Sequence, residues 1–174
     1  GDYDVTLEVT GINGCTESLT QTIGIHPNPT ANFILNPVCE AEEFTITNTS
    51  SVSDASELTY NWSAGDGRTF TDEEPMYSYA EDGDFLVSLT TTSAHGCETS
   101  RSKWVSVGVV PELDFGGTIT RCDASYTLDA ENVGSTYRWS DNSTNQTLMV
   151  NETNTYSVEV TSADGCSITE IVNV

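Results

Sequence analysis

Two histidines, five cysteines and 27 acidic side chains are the groups in this chain that could do chemistry. Side-chain catalysis needs a nucleophile, a base and a stabilising group held in one place. His26 precedes a proline in a connecting segment and His95 sits in a glycine-containing turn, and no motif surrounds either one. The serines and threonines alternate with apolar residues, which makes them solvent-face residues of strands. Asp66, between Gly65 and Gly67, has the setting of a side chain that caps local backbone N–H groups. The chain reads as non-catalytic.

The carboxylates form three local groups: Glu40 and Glu42 with Glu43, Asp72 and Glu73 with Glu74, and Asp82 and Asp84 with Glu81 beside Gly83. Hard oxygen ligands of this kind suit calcium, the one cofactor the sequence admits, although no group has the spacing of an EF-hand. Glu40, Glu42, Asp72, Glu73, Asp82 and Asp84 are the candidate metal ligands, and no other cofactor is expected. No close-spaced Cys or Cys/His pairs stand ready for zinc. Against 27 acidic residues there are 5 basic ones, a net charge of −22. Such a chain repels phosphate backbones, which excludes nucleic acid as a partner. No run of roughly 18 apolar residues exists to enter a membrane, and any signal peptide is expected outside this sequence.

The elements that must position these groups are strands, and they repeat. Gly1-Asp2-Tyr3-Asp4-Val5-Thr6-Leu7-Glu8-Val9 returns as Gly83-Asp84-Phe85-Leu86-Val87-Ser88-Leu89-Thr90-Thr91 and again as Thr155-Tyr156-Ser157-Val158-Glu159-Val160. Apolar residues at every second position mark a half-buried strand. Each copy meets the same punctuation: Asn13-Gly14-Cys15, His95-Gly96-Cys97 and Asp164-Gly165-Cys166. A turn residue before glycine supplies the backbone of a tight hairpin. A second strand follows every time. Upstream, Tyr60-Asn61-Trp62 matches Tyr137-Arg138-Trp139. Trp62 and Trp139 read as core aromatics of central strands, with a carbohydrate-stacking platform as the competing reading.

These repeats predict an all-β chain of tandem Ig-like β-sandwich modules. The expected divisions are 1–27, the last hairpin of a truncated module; 28–110, a complete one; and 111–174, a smaller one. The junctions His26-Pro27-Asn28-Pro29 and Val110-Pro111-Glu112 are short and proline-stiffened, so a semi-rigid rod is expected. Cysteines in an acidic all-β chain indicate an oxidising compartment outside the cytoplasm. Cys39 and Cys122 each stand near the start of a repeat, and Cys97 and Cys166 at the matching final turns. The expected pairs are Cys39–Cys97 and Cys122–Cys166, each closing a loop of about 45 to 60 residues worth roughly 3 to 4.5 kcal/mol. Cys15 then has its partner outside the chain, or is a free thiol.

Three stretches in order carry a family resemblance: Trp62-Ser63-Ala64-Gly65-Asp66-Gly67, then Pro75-Met76-Tyr77-Ser78-Tyr79, then Gly83-Asp84-Phe85-Leu86-Val87-Ser88-Leu89. Together they resemble a PKD domain over about residues 30 to 108. Residues 1 to 27 resemble the tail of a preceding copy. Residues 112 to 174 lack the Gly-Asp-Gly turn and look like the Ig-like repeats that accompany PKD domains in very large Bacteroidota surface proteins. The Gly-Cys ending is similar to that of gliding-motility adhesins and other type IX secretion cargo. The resemblance implies an extracellular, cell-surface stalk or spacer whose partners are neighbouring modules of the same long chain, surface polysaccharide or other envelope proteins. The alternatives it leaves are an accessory module of a secreted hydrolase, touching polysaccharide, and an S-layer component.

Overall fold

Alternation of apolar and polar residues sets the secondary structure, and no segment has the 3.6-residue period of a helix. The computed structural model describes residues 1–174 and contains sixteen strands and no helix. In chain order they are β1 (Asp2–Thr10), β2 (Thr16–Gly24), β3 (Phe33–Ile34), β4 (Val38–Cys39), β5 (Phe44–Thr45), β6 (Thr47–Asn48), β7 (Leu58–Ser63) and β8 (Thr69–Phe70). There follow β9 (Met76–Tyr77), β10 (Gly83–Ser93), β11 (Glu98–Gly108), β12 (Tyr126–Asp129), β13 (Thr136–Trp139), β14 (Thr147–Val150), β15 (Thr155–Thr161) and β16 (Ser167–Asn173). The largest sheet has the order β4-β11-β10-β7-β8; a three-stranded sheet has the order β13-β15-β16. Two-stranded pairs are β1-β2, β3-β6, β5-β9 and β12-β14.

The chain divides into two compact units. The first comprises Gly1–Ile34, Thr47–Pro75 and Val87–Ser102. Its core forms around Trp62, which is fully buried and stands opposite Leu89 in the β7–β10 register. Phe33 meets that indole edge-on at 5.2 Å, and the indole N–H donates to the Asp72 carbonyl at 3.0 Å. An edge-on aromatic pair with its polar handle satisfied is a favourable way to bury so large a side chain. The β1–β2 ribbon of this unit pairs only with itself and is exposed along its whole length.

The second unit comprises Leu35–Ile46, Met76–Leu86 and Lys103–Val174. Phe44, Tyr77, Tyr79 and Phe85 form one aromatic group, with Tyr79 stacked between Phe44 and Phe85 at 5.8 and 4.3 Å. A separate core joins Leu128, Ala130, Leu148, Val150, Val158, Val160 and Val172 around Trp139. Trp139 stands opposite Val158, and its indole donates to the Asn145 carbonyl at 2.8 Å.

The three hairpin turns have one geometry. Gly11, Ser93 and Ser162 each donate their N–H to the carbonyl of the cysteine four residues on, at 2.8, 2.9 and 2.8 Å. Each also accepts the N–H of the glycine before that cysteine. Gly14, Gly96 and Gly165 have φ of 79, 79 and 89°, where a side chain is strained.

The disulfide differs from both expected pairs. Cys39 is joined to Cys166, and Cys15, Cys97 and Cys122 carry free thiols. The reason lies in strand direction. β4 runs parallel to the end of β11, which sets Cys39 opposite Gly108. Cys97 precedes the other end of β11, so roughly 33 Å of extended strand separates it from Cys39. A bridge tolerates a Cα separation of about 7 Å at most. Cys122 is kept from Cys166 in the same manner: Thr118 forms a parallel bridge with Asn173, at the far end of β16. A repeat's first segment therefore meets the far end of its last strand, not the final turn. Gly108 lets the actual partners approach. A Cβ there would lie 2.8 Å from the Cys166 Sγ and 2.6 Å from the Asp164 Cβ.

Candidate functional site

A groove lies beside Cys39 of the disulfide in the second unit. It is open, with a volume of about 990 Å³, and its lining includes Cys39, Glu40, Glu42, Glu112, Asp114 and Ile168. Glu40 is committed to structure, since its Oε1 accepts the Val110 N–H at 2.9 Å. Glu42, Glu112 and Asp114 give the groove a negative potential.

The six carboxylates read as calcium ligands do not converge. Glu42, Asp72, Glu73, Asp82 and Asp84 are exposed, and no three of the six bring ligand atoms together. Asp72 serves through its backbone carbonyl, beneath the Trp62 indole. Glu73 lies against Tyr60, whose pKa is raised by burial first and by that negative charge second. Asp66 accepts the Arg68 N–H at 3.1 Å within the Gly65-Asp66-Gly67 turn. Trp62 and Trp139 are 0% and 2% exposed, so neither ring can stack on a sugar. That removes the platform reading of those two residues.

Two features carry surface chemistry that inspection of motifs passes over. Trp104, on β11, is 67% exposed. Its position was legible, because Val105 and Val107 occupy the inward parity of the strand and Trp104 the outward one. The second feature had no sequence signal. His26, from the segment after β2, and His95, from the β10–β11 turn, are stacked with ring centroids 3.4 Å apart. Asp54, in the loop before β7, points Oδ2 at His95 Nε2 across 3.8 Å. The pKa of Asp54 is lowered, chiefly by the hydrogen bond from the Ser56 backbone N–H.

Fold and surface together define a class: an all-β chain of Ig-like β-sandwich fold that carries a disulfide. Residues 26–109 match the PKD domain family. A stretch of 60 residues is 37% identical to the pre-pro-metalloprotease PrtV of Vibrio cholerae, covering 34% of this chain and 6% of that protein. The crystal structure of the PKD1 domain of Vibrio anguillarum Epp is 30% identical, covering 49% of this chain and 99% of that one, with a TM-score of 0.45. The insect immune protein hemolin is 10% identical and covers 99% of this chain and 55% of its own, with a TM-score of 0.51, a likeness of fold alone. This chain spans about 6% of the length of the curated relatives it matches. Disulfides such as Cys39–Cys166 form and persist in oxidising compartments, and no helix is long and apolar enough to cross a membrane.

Proposed function

We propose that this chain is a non-catalytic extracellular segment that acts as stalk or spacer in a large cell-surface adhesin. The kind of protein meant is a gliding-motility filament of the Bacteroidota, exported by type IX secretion. One observation carries the reading: the Cys39–Cys166 bond joins the first segment of one sequence repeat to the final turn of the next. A bond of that kind stiffens an array where a bond inside each repeat would not. The turns of Cys15 and Cys97 have the same backbone geometry as that of Cys166. On this reading neighbouring repeats supply the partners of Cys15, Cys97 and Cys122.

A second reading, an accessory module of a secreted hydrolase that touches polysaccharide, has one observation in its favour. A single exposed indole on a sheet, such as Trp104, is a stacking surface for a sugar ring. The two readings separate by affinity electrophoresis of this chain through a panel of soluble polysaccharides. The stalk reading expects unretarded migration, and antibodies to the chain that decorate intact cells. Retardation abolished by Trp104→Ala overturns it in favour of the second.

A further inference from the structure

We propose that His26, Asp54 and His95 form a binding site for a borderline transition-metal ion of the Zn²⁺ class. The ion would tie the segment after β2 to the loop before β7 and to the β10–β11 turn. The three side chains come from distant parts of the sequence, yet one ligand atom from each lies within 4.8 Å of the others. Around a tetrahedral ion, ligands at zinc distances stand about 3.4 Å from one another, so a modest contraction completes the set.

The surroundings favour that contraction. The imidazole rings lie nearly parallel, 10° between their planes, so their lone pairs run side by side. Ligation requires the rings to fan open by rotation of each side chain. Both are exposed, and no packed core resists the movement. Asp54 is held in place through Oδ1, which accepts the Ser56 N–H at 3.1 Å, and this leaves Oδ2 for an ion. Its neighbour Ala55 has a φ of 55°, an unusual conformation for a residue other than glycine. Gly24 lets His26 fold back over the end of β2: a Cβ there would stand 3.5 Å from His26 Nε2 and 3.3 Å from Asp2 Oδ1.

The donor set selects the ion. Two imidazole nitrogens with one carboxylate suit zinc and its borderline neighbours, whereas calcium and magnesium take oxygen ligands. Three protein ligands leave a fourth position for water. A net charge of −22 concentrates divalent cations at the surface. The role is mechanical, because the ion would clamp the β1–β2 ribbon's exit to two loops.

The test is calorimetric titration of the full chain with ZnCl₂, its three free thiols first blocked with iodoacetamide so that they cannot bind zinc. The expected result is one ion per chain. His26→Ala and His95→Ala should each weaken binding at least tenfold, and CaCl₂ should not compete. Zinc should raise the melting temperature of the parent and of neither variant. Unchanged affinity in both histidine variants overturns the proposal. A measurement on the unsubstituted chain guards against a variant that folds poorly. The imidazole ¹H–¹⁵N resonances of both histidines should shift together and saturate at one equivalent of zinc. A shift of one ring alone, or of neither, also overturns it.

Discussion

At the scale of single residues, the two tryptophans and one glycine carry the account. The Tyr-x-Trp spacing already put Tyr137 and Trp139 on one face of a strand, and parity made a core role for Trp139 readable. What the sequence could not show is the carbonyl that receives each indole, since Asp72 is ten residues beyond Trp62 but Asn145 only six beyond Trp139. Trp139→Ala should cost about 3–5 kcal/mol in urea unfolding. Gly108→Ala should push Cys39 and Cys166 apart, because its new methyl group has no room beside Cys166 Sγ. Thiol titration under denaturing conditions should then rise from three groups per chain toward five; a count that stays at three shows that the approach is not needed. Asp129 gives a pH signature. Its pKa lies below the ordinary 3.8, held down first by the Gln146 side chain and then by the Glu131 N–H. A depressed pKa in the folded state contributes stability above the unfolded value, and that stability is lost as pH falls through the folded value. Asp129→Asn should therefore lower the urea midpoint at neutral pH, with the gap to the parent closing below pH 3.8.

At the scale of elements, the hairpins were the most legible part of the sequence. Period-two alternation closed by Gly-Cys located β10–β11 and β15–β16, and the turn chemistry of Gly96 and Gly165 follows from their positive φ. Which end of a hairpin meets the start of its repeat was not legible. Sequence spacing carries no strand direction, and the parallel pairing of β4 with β11 depends on chain that folds back across the sheet. That blind spot produced the wrong disulfide pairs. The β1–β2 ribbon makes the complementary point. Its Tyr3, Val5, Leu7, Leu19 and Ile23 alternate as a buried face should, yet all are exposed. In the equivalent strand β10, Val87 and Leu89 are fully buried. Deleting residues 1–25 should leave the unfolding free energy within about 0.5 kcal/mol of the parent, as for changes away from packed contacts. The same deletion should lower binding of a hydrophobic dye. A large loss of stability shows that the ribbon is packed on the rest of the chain.

At the scale of the whole molecule, the proposed spacer role rests on the acidic charge, the repeats and the staple. The charge of −22 was legible at once. The histidine cluster was invisible there, because His26 and His95 meet only once three loops are folded. The Cys39–Cys166 bond spans 127 residues, and on the chain-entropy account a loop of that size is worth about 5 kcal/mol. The most direct test of that bond is a tryptic map of the oxidised, thiol-blocked chain without reduction. Cleavage at Arg68, Arg101, Lys103, Arg121 and Arg138 puts Cys39, Cys97, Cys122 and Cys166 on four different peptides. The structure predicts that peptide 1–68, its Cys15 carrying the blocking group, is recovered bound to peptide 139–174 through Cys39 and Cys166. Recovery of 1–68 bound to 69–101, or of 122–138 bound to 139–174, contradicts it and returns each staple to the interior of one repeat.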